Sequence, residues 1–320
     1  MMKEKEIIDK FFVSFHDSKL PSDIKKGVGD DAAILSVGNE MLAVSVDTVI
    51  EGVHFYPGIT AENLGFRSVA VALSDMAAMC AVPKYITLSL SLEKAEFFWM
   101  DGFLSGVKSC LNQFDCYLVG GDTVKGPLSV SVQVIGVCEL EPIYRSGAKE
   151  GELVAVTGFF GCAKTALSFL NKEKQKTSNI EYVLDKYHKP SPRINVASRL
   201  GGYISSAIDI SDGLISDIGH IAQQSNKKIN LFLEKIPIDP IILRLLSKEE
   251  AVRNALTGGD DYELAFTFNR KNLEDIEKIG KKFGIPITVI GAVESGQGVN
   301  VLDQNGNALN HSFKEGFAHF

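Results

Sequence analysis

The sequence predicts a two-domain protein, an α+β unit followed by an α/β unit, and three observations carry that expectation. The chain has 320 residues, whereas a single core rarely grows past ~250–300 residues. Two stretches of the first half, YITLSLSL and LSVSVQVIGV, alternate apolar with small polar residues, the period of a strand with one packed face. Past EPIYRSGAKEGE (141–152), rich in Pro, Gly and charge, the pattern restarts as strands alternating with helices. We place the first domain at residues 1–143 and the second at 144–320.

Ile7, Ile8, Phe11, Phe12 and Phe15 recur at helical spacing, which predicts a helix over 4–16 with one face laid on a core. Strands are expected around 31–36 and 41–47. Thr60 is a good N-cap, followed by helix formers through LSDMAAM. Next comes a strand with Ile86, Leu88, Leu90 and Leu92 on one face. A helix over 93–114 follows, then CYLVGGD, read as a strand ending in a glycine turn, and a strand with Leu128, Val130, Val132 and Val134 on one face. The order β-β-α-β-α-β-β is that of a mixed sheet with helices on one face. The second half reads as strand LVAVTG, a helix from about 162, an exposed loop at NKEKQKTSN, and a helix with Pro in its first turn at HKPSPRINVASRL. Then come strand SSAIDI, helix GLISDIGHIAQQ, strand INLFLE, helices over 238–256, strand YELAFTF, helix 271–283 and strand ITVIG.

Hydrophobic residues at 45% and charged residues at 23% are ordinary for a soluble globular protein. Lys and Arg total 33 against 40 Asp and Glu, a net charge of -7, which argues against a nucleic-acid surface. No apolar run approaches the ~18 residues of a membrane span. The start, MMKEKEIIDKFF, lacks the apolar core of a signal peptide. Cys80, Cys110, Cys116, Cys138 and Cys162 are odd in number with no C-x-x-C among them, so they read as reduced thiols of a cytoplasmic protein.

GVGDDAAIL (27–35) matches a dinucleotide loop at Gly27, Gly29 and Ala32 but carries Asp30 and Asp31 where the anion should sit. Similar acids recur: Asp47, Asp75, Asp122, Asp209, Asp212, Asp260 and Asp261, in segments with Gly, Ser or Thr close by and most of them following an apolar strand. Any one alone is a helix cap or an Asx turn. Together, at strand ends that face one crevice, they would raise each other's pKa unless a hard cation joined them. GFFGCAKT (158–165) fails the P-loop spacing, because Ala163 stands before the Lys. No G-x-S-x-G occurs, and no Cys has an activating context. His54, after a strand and a glycine turn, is either a hydrogen-bonded structural residue or a contact for an anionic or aromatic ligand.

Read together, GVGDDAA, SVDTVIEGVHF, LSDMAAMCAVP, LVGGDT, RSGAKEGE, DISDGLISDIGHI, GGDDYEL and GFAHF resemble the thiamine-monophosphate kinases, in order and spacing, from about residue 27 onward. The wider superfamily includes aminoimidazole ribonucleotide synthetase and selenophosphate synthetase. The resemblance implies an aminoimidazole ribonucleotide synthetase-like fold and a homodimer pairing its N-terminal sheets. It also implies direct transfer of phosphate from ATP to thiamine monophosphate with the help of several Mg²⁺ ions. It makes Asp31, Ser45, Asp47, Asp75, Asp122, Asp209 and Asp212 metal ligands, with Asp212 nearest the transfer. Gly121, Asp122, Arg145 and Ser211 would meet ATP, and His54, Asp260 and Phe317 the thiamine end. Asp260 replaces the family's usual Glu, Val46 a common Thr, and Phe317 a closing Trp or Tyr. The alternatives are another ATP-dependent enzyme of the superfamily or a non-catalytic nucleotide-binding relative. Against the first, residues 1–30 hold no Cys, where selenophosphate synthetases carry a reactive one.

Overall fold

A computed structural model describes residues 4–13, 20–170 and 177–309. In the first half β1 (Ile24–Lys26), β2 (Ala33–Val37), β3 (Glu40–Ile50), β4 (Val82–Leu92), β5 (Tyr117–Lys125) and β6 (Ser129–Val137) form one sheet, ordered β1-β2-β3-β6-β4-β5. Its pairings are antiparallel except β4 with β5, which are joined through helix α3 (Phe97–Leu111). Helix α2 (Ala61–Ala78) packs with α3 on one face of this sheet. The alternation explains the seam: Ile86, Leu88, Leu90 and Leu92 of β4 and Val130, Val132 and Val134 of β6 are buried under the helices. Gly65 and Gly106 let α2 and α3 touch backbone to backbone, because a Cβ at either would collide with a carbonyl of the other helix.

The opposite face is open. Val46 is 64% exposed, Tyr85 is exposed, and β5 is exposed along its whole length. That strand does not end in a glycine turn as the sequence suggested; it runs through Gly120 and Gly121 to Lys125. Gly121 lies against the Leu88 backbone, where a side chain would collide, so the glycine serves strand contact rather than a turn. The N-terminal segment also departs from expectation. Helix α1 (Glu4–Ile7) continues as a π-helical turn over Ile8–Phe12, and Phe11 and Phe12 are exposed rather than laid on a core; Phe15 lies outside the described residues.

In the second half β7 (Leu153–Thr157), β8 (Ser206–Asp209), β9 (Lys228–Phe232), β10 (Leu264–Phe268), β11 (Ile287–Glu294) and β12 (Gly298–Leu302) form a second sheet, ordered β12-β9-β11-β7-β10-β8. Its helices are α4 (Cys162–Leu167), α5 (Ser178–His188), α6 (Ile194–Leu200), α7 (Leu214–Gln224), α8 (Lys248–Thr257) and α9 (Leu273–Phe283). The alternation of strand and helix is as expected, and β7, β8, β9 and β12 run in one direction. However, β10 and β11 insert between them in the opposite direction, so only β9 and β12 pair in parallel and the sheet is mixed, an α+β arrangement. Helix α5 begins inside the expected NKEKQKTSN loop; Thr177 caps it by accepting the Ile180 amide, and Ile180, Val183 and Tyr187 bury one face. Pro190 and Pro192 precede α6 instead of opening it. Helix α2 lies between the two halves, touching β3 and β6 on one side and α6 and β8 on the other, in one core with Leu264, Phe266 and Phe268. The last turn of α2 is therefore brought to the end of β8.

Candidate active site: an acidic cluster between the two sheets

Five elements deliver carboxylates to this place. The loop before β2 supplies Asp30 and Asp31. Strand β3 presents Ser45 and Asp47 on its inward side, in phase with buried Ala43 and Val49. The last turn of α2 carries Asp75, β8 ends on Asp209, and the following loop holds Ser211 and Asp212. One carboxylate oxygen each of Asp31, Asp75 and Asp209 lie within 4.8 Å of one another. Asp47 sits close enough to feel the charges of Asp31 and Asp212.

Asp30 and Asp31 point apart. Asp30 pairs with Lys26 Nζ (2.8 Å) and accepts the Arg145 amide (3.1 Å). Asp31 faces the cluster and takes both arms of the Arg145 guanidinium, Nη2 at 2.6 Å and Nε at 3.1 Å. Burial is the first cause that lifts these carboxyls, and mutual repulsion adds to it. Asp47 is pushed up to about 6 and Asp209 to about 7. Asp75 stands well above its ordinary value, and Asp31 is raised despite Arg145. The hydroxyls of Ser45 and Ser74, beside Asp75 and Asp209, ease those carboxyls slightly. Both are buried without a well-formed hydrogen bond. A compact all-oxygen donor set, like-charged and with an orphaned hydroxyl at its edge, fits a hard divalent cation such as Mg²⁺.

That geometry carries a testable linkage. The folded carboxyls of Asp47 and Asp209 lie above the ordinary 3.8, so the folded state holds the extra protons between about pH 4 and pH 7. The stability they lend is full in acid and is lost as pH rises through about 6 to 7. Metal-free protein should therefore melt higher near pH 5.5 than near pH 7.5, with Mg²⁺ raising the melting temperature mainly at the higher pH. Equal Mg²⁺ shifts at both pH values in scanning fluorimetry would contradict this.

The remaining expected residues fall into two places. Asp122 and Gly121 lie on the exposed strand β5, where Asp122 accepts the Thr123 amide (2.8 Å); the structure does not bring Asp122 into the buried group. His54 and Asp260 meet through a residue that sequence reasoning passed over, Arg67, which is 1% exposed in the middle of α2. Its guanidinium donates to Asp260 Oδ1 (2.5 Å), to the Tyr187 carbonyl (2.6 Å) and to the His54 carbonyl (3.5 Å), and lies over the Tyr187 ring at 4.2 Å. The Tyr262 hydroxyl also donates to Asp260 (3.1 Å), which holds a left-handed backbone at φ 70°. His54 Nδ1 accepts the Ile50 amide (3.0 Å). Asp261 turns away and accepts the Gly161 amide (2.9 Å) ahead of α4, within the GFFGCAKT segment. Phe317 lies outside the described residues. An isolated Arg in the apolar run LGFRSVAVAL was the available signal for Arg67.

Helix α7 ties the parts together. At its start Asp217 gathers the loop amides of Ser211, Asp212 and Gly213. At its end Gln224 donates to the Gly29 carbonyl (2.7 Å), and the hydroxyl of the adjoining Ser225 accepts the Gly147 and Ala148 amides (3.1 Å each).

Models of the AIR synthase related protein N-terminal domain and C-terminal domain match residues 29–138 and 149–304. Fold and acidic site thus define an AIR synthase related protein, two mixed sheets with carboxylates gathered between them. The thiamine-monophosphate kinase of Buchnera aphidicola (subsp. Schizaphis graminum) is 41% identical over 99% of this chain and 98% of its own length. The crystal structure of thiamine-monophosphate kinase from Stenotrophomonas maltophilia K279a, 36% identical, superposes with a TM-score of 0.80 over 95% of this chain and 97% of that one. A structure of AaThiL complexed with AMPPCP and TMP, 30% identical, gives 0.87 over 99% and 97%. The chain belongs to the thiamine-monophosphate kinase family.

Proposed function

We propose that this chain transfers the γ-phosphoryl group of ATP to the phosphate of thiamine monophosphate, giving thiamine diphosphate and ADP. The observation that carries the reading is the convergence of Asp31 from the loop before β2, Asp75 from α2 and Asp209 from the end of β8, in a chain whose relatives bear that enzyme's name. AMPPCP, bound by the AaThiL relative, is an ATP analogue, which supports ATP as the donor.

Both reactants are anions, so charge repulsion is the main barrier and the nucleophile is already a phosphate oxygen. With its second pKa near ~6 it needs no strong base. Asp31, Ser45, Asp47, Asp75, Asp209 and Asp212 would hold Mg²⁺, with Asp122, apart on strand β5, as a further ligand; the bound ions would neutralise the phosphates and keep the attacking oxygen in line. Asp212, on the loop facing Asp47, is our choice for the residue nearest the transfer. Arg145 supplies a fixed positive charge at the edge of the cluster, bonded to Asp31, and with Ser211, Gly121 and Asp122 it would meet the nucleotide. Arg67 holds Asp260 and the His54 backbone together where the thiamine end would lie.

We also propose the domain boundary at 143/144, supported by the gap between β6 ending at Val137 and β7 beginning at Leu153. The open sheet face and exposed β5 support a homodimer. It should elute at twice the monomer mass in light-scattering chromatography, and a monomeric peak would remove the idea. Five free, buried cysteines support a cytoplasmic setting. Among the described residues no helix is long and apolar enough to cross a membrane. The decisive test incubates the protein with ATP, Mg²⁺ and either thiamine monophosphate or thiamine, and then measures thiamine diphosphate as its thiochrome. Product from the monophosphate alone, abolished by EDTA, is expected; product from free thiamine, or none at all, would refute the reading.

A further inference from the structure

The loop between β8 and α7 carries Ser211 and Asp212; its Ser211 carbonyl accepts the Asp260 amide (2.8 Å), and three of its amides converge on one atom. Asp217 is 2% exposed, and its Oδ2 accepts the amides of Ser211 (3.0 Å), Asp212 (3.0 Å) and Gly213 (3.1 Å). The Asp217 amide in turn donates to the Gly213 carbonyl (3.0 Å), which closes a reciprocal ring around the turn. Three successive amides drawn to one point fix the backbone from which the Asp212 side chain projects. Gly213 permits this at φ 131°, and α7 has no side-chain cap of its own at that position.

We propose that Asp217 is a positioning residue for phosphoryl transfer: through the three amides it holds Asp212 in place beside the other acids. The proposal rests on Asp212 acting at the transfer site. A carboxyl suits the task, since one oxygen accepts all three N–H groups, and those bonds work against the burial and the Asp212 and Asp209 charges that push it well above its ordinary value. It does so next to Asp209 and Asp212, a repulsion that a merely helix-capping residue would have no reason to accept. An Asn at this position would present one neutral oxygen and an NH₂ that clashes with at least one amide whenever it turns.

The test compares Asp217→Asn with Asp212→Asn and the parent protein. Outer partners of metal ligands typically contribute about 10–100-fold. Asp217→Asn should lower kcat by about that factor and raise the Mg²⁺ concentration for half-saturation by several-fold, with KM for thiamine monophosphate changed less than about twofold. Mg²⁺ affinity measured calorimetrically with a non-hydrolysable ATP analogue should fall in parallel, a readout that does not depend on turnover. A purely structural role would lower the melting temperature and leave kcat and Mg²⁺ dependence intact, which would overturn the proposal. If Asp217→Asn does not fold, Gly213→Ala decides. Its Cβ would press on the Thr257 backbone at a positive φ and shift the same loop with Asp217 intact, and an unchanged Mg²⁺ dependence there counts against the idea. Should Asp212→Asn itself leave kcat unchanged, the fault lies with the role given to Asp212 rather than with the ring of amides.

Discussion

Asp212→Asn should reduce kcat for thiamine diphosphate formation by about 10²- to 10³-fold, the usual loss when one charge-stabilising group at a transferring centre is removed. The fold should survive, because the Asp212 amide bond to Asp217 is kept in the variant. The deficit should appear in kcat, with KM for thiamine monophosphate nearly unchanged, since the lost interaction belongs to the transition state. Raising Mg²⁺ should recover part of the rate if, as proposed, Asp47 and Asp209 hold the cation with Asp212. Steady-state kinetics at several Mg²⁺ concentrations would check it, and a variant with parental kcat would remove Asp212 from the chemistry.

Arg67→Met should cost about 2–4 kcal/mol of stability, toward the lower part of the range for breaking a buried ion pair, because the Asp260 side chain keeps 28% of its surface in water and can hydrate. The loss includes the Arg67 bonds to the Tyr187 and His54 carbonyls and its stacking on the Tyr187 ring. With Asp260 released, KM for thiamine monophosphate should rise by an order of magnitude or so while KM for ATP stays near the parental value. Urea unfolding supplies the stability figure. A double-mutant cycle with Asp260→Asn isolates the pair, and the double variant should be more stable than the sum of the two single losses implies. Strict additivity would mean that the two residues do not depend on each other.

What could be read from residues alone follows the physics of each element. Strands β3, β4 and β6 were legible because one face is buried and burial writes its period into the side chains, and helix α2, buried almost all round, because of its Thr60 cap and its run of helix formers. The antiparallel insertion of β10 and β11 was not, since a strand's direction leaves no mark in its own composition. Strand β5 misled because Gly120 and Gly121 look like a turn, whereas Gly121 answers to the Leu88 backbone. Helix α5 was missed because its exposed side is polar, although Ile180, Val183 and Tyr187 already had the spacing. The acids were visible one by one as Gly- and Ser-flanked Asp residues. That Asp31, Asp75 and Asp209 meet, while Asp122 stays on an exposed edge, is a matter of three-dimensional packing. Asp217 escaped because its work is done on the backbone of other residues, and Arg67 because its one signal, a charge in an apolar run, does not say which distant carboxylate it meets.

Helix α7 makes the spacing of the site a discrete quantity. Its 11 residues span about 16 Å at 1.5 Å per residue, with the Asp212 turn gripped at one end and the Gly29 and Arg145 loops at the other. Substitutions on its outward side leave that span alone. One inserted residue would not stretch it slightly; it would advance one end by about 1.5 Å and swing it through about 100°, turning Gln224 and Ser225 off their targets. Descendants of this chain are therefore free to repaint α7 but not to resize it, and the distance between the two halves of the acidic site is inherited as a whole number of residues.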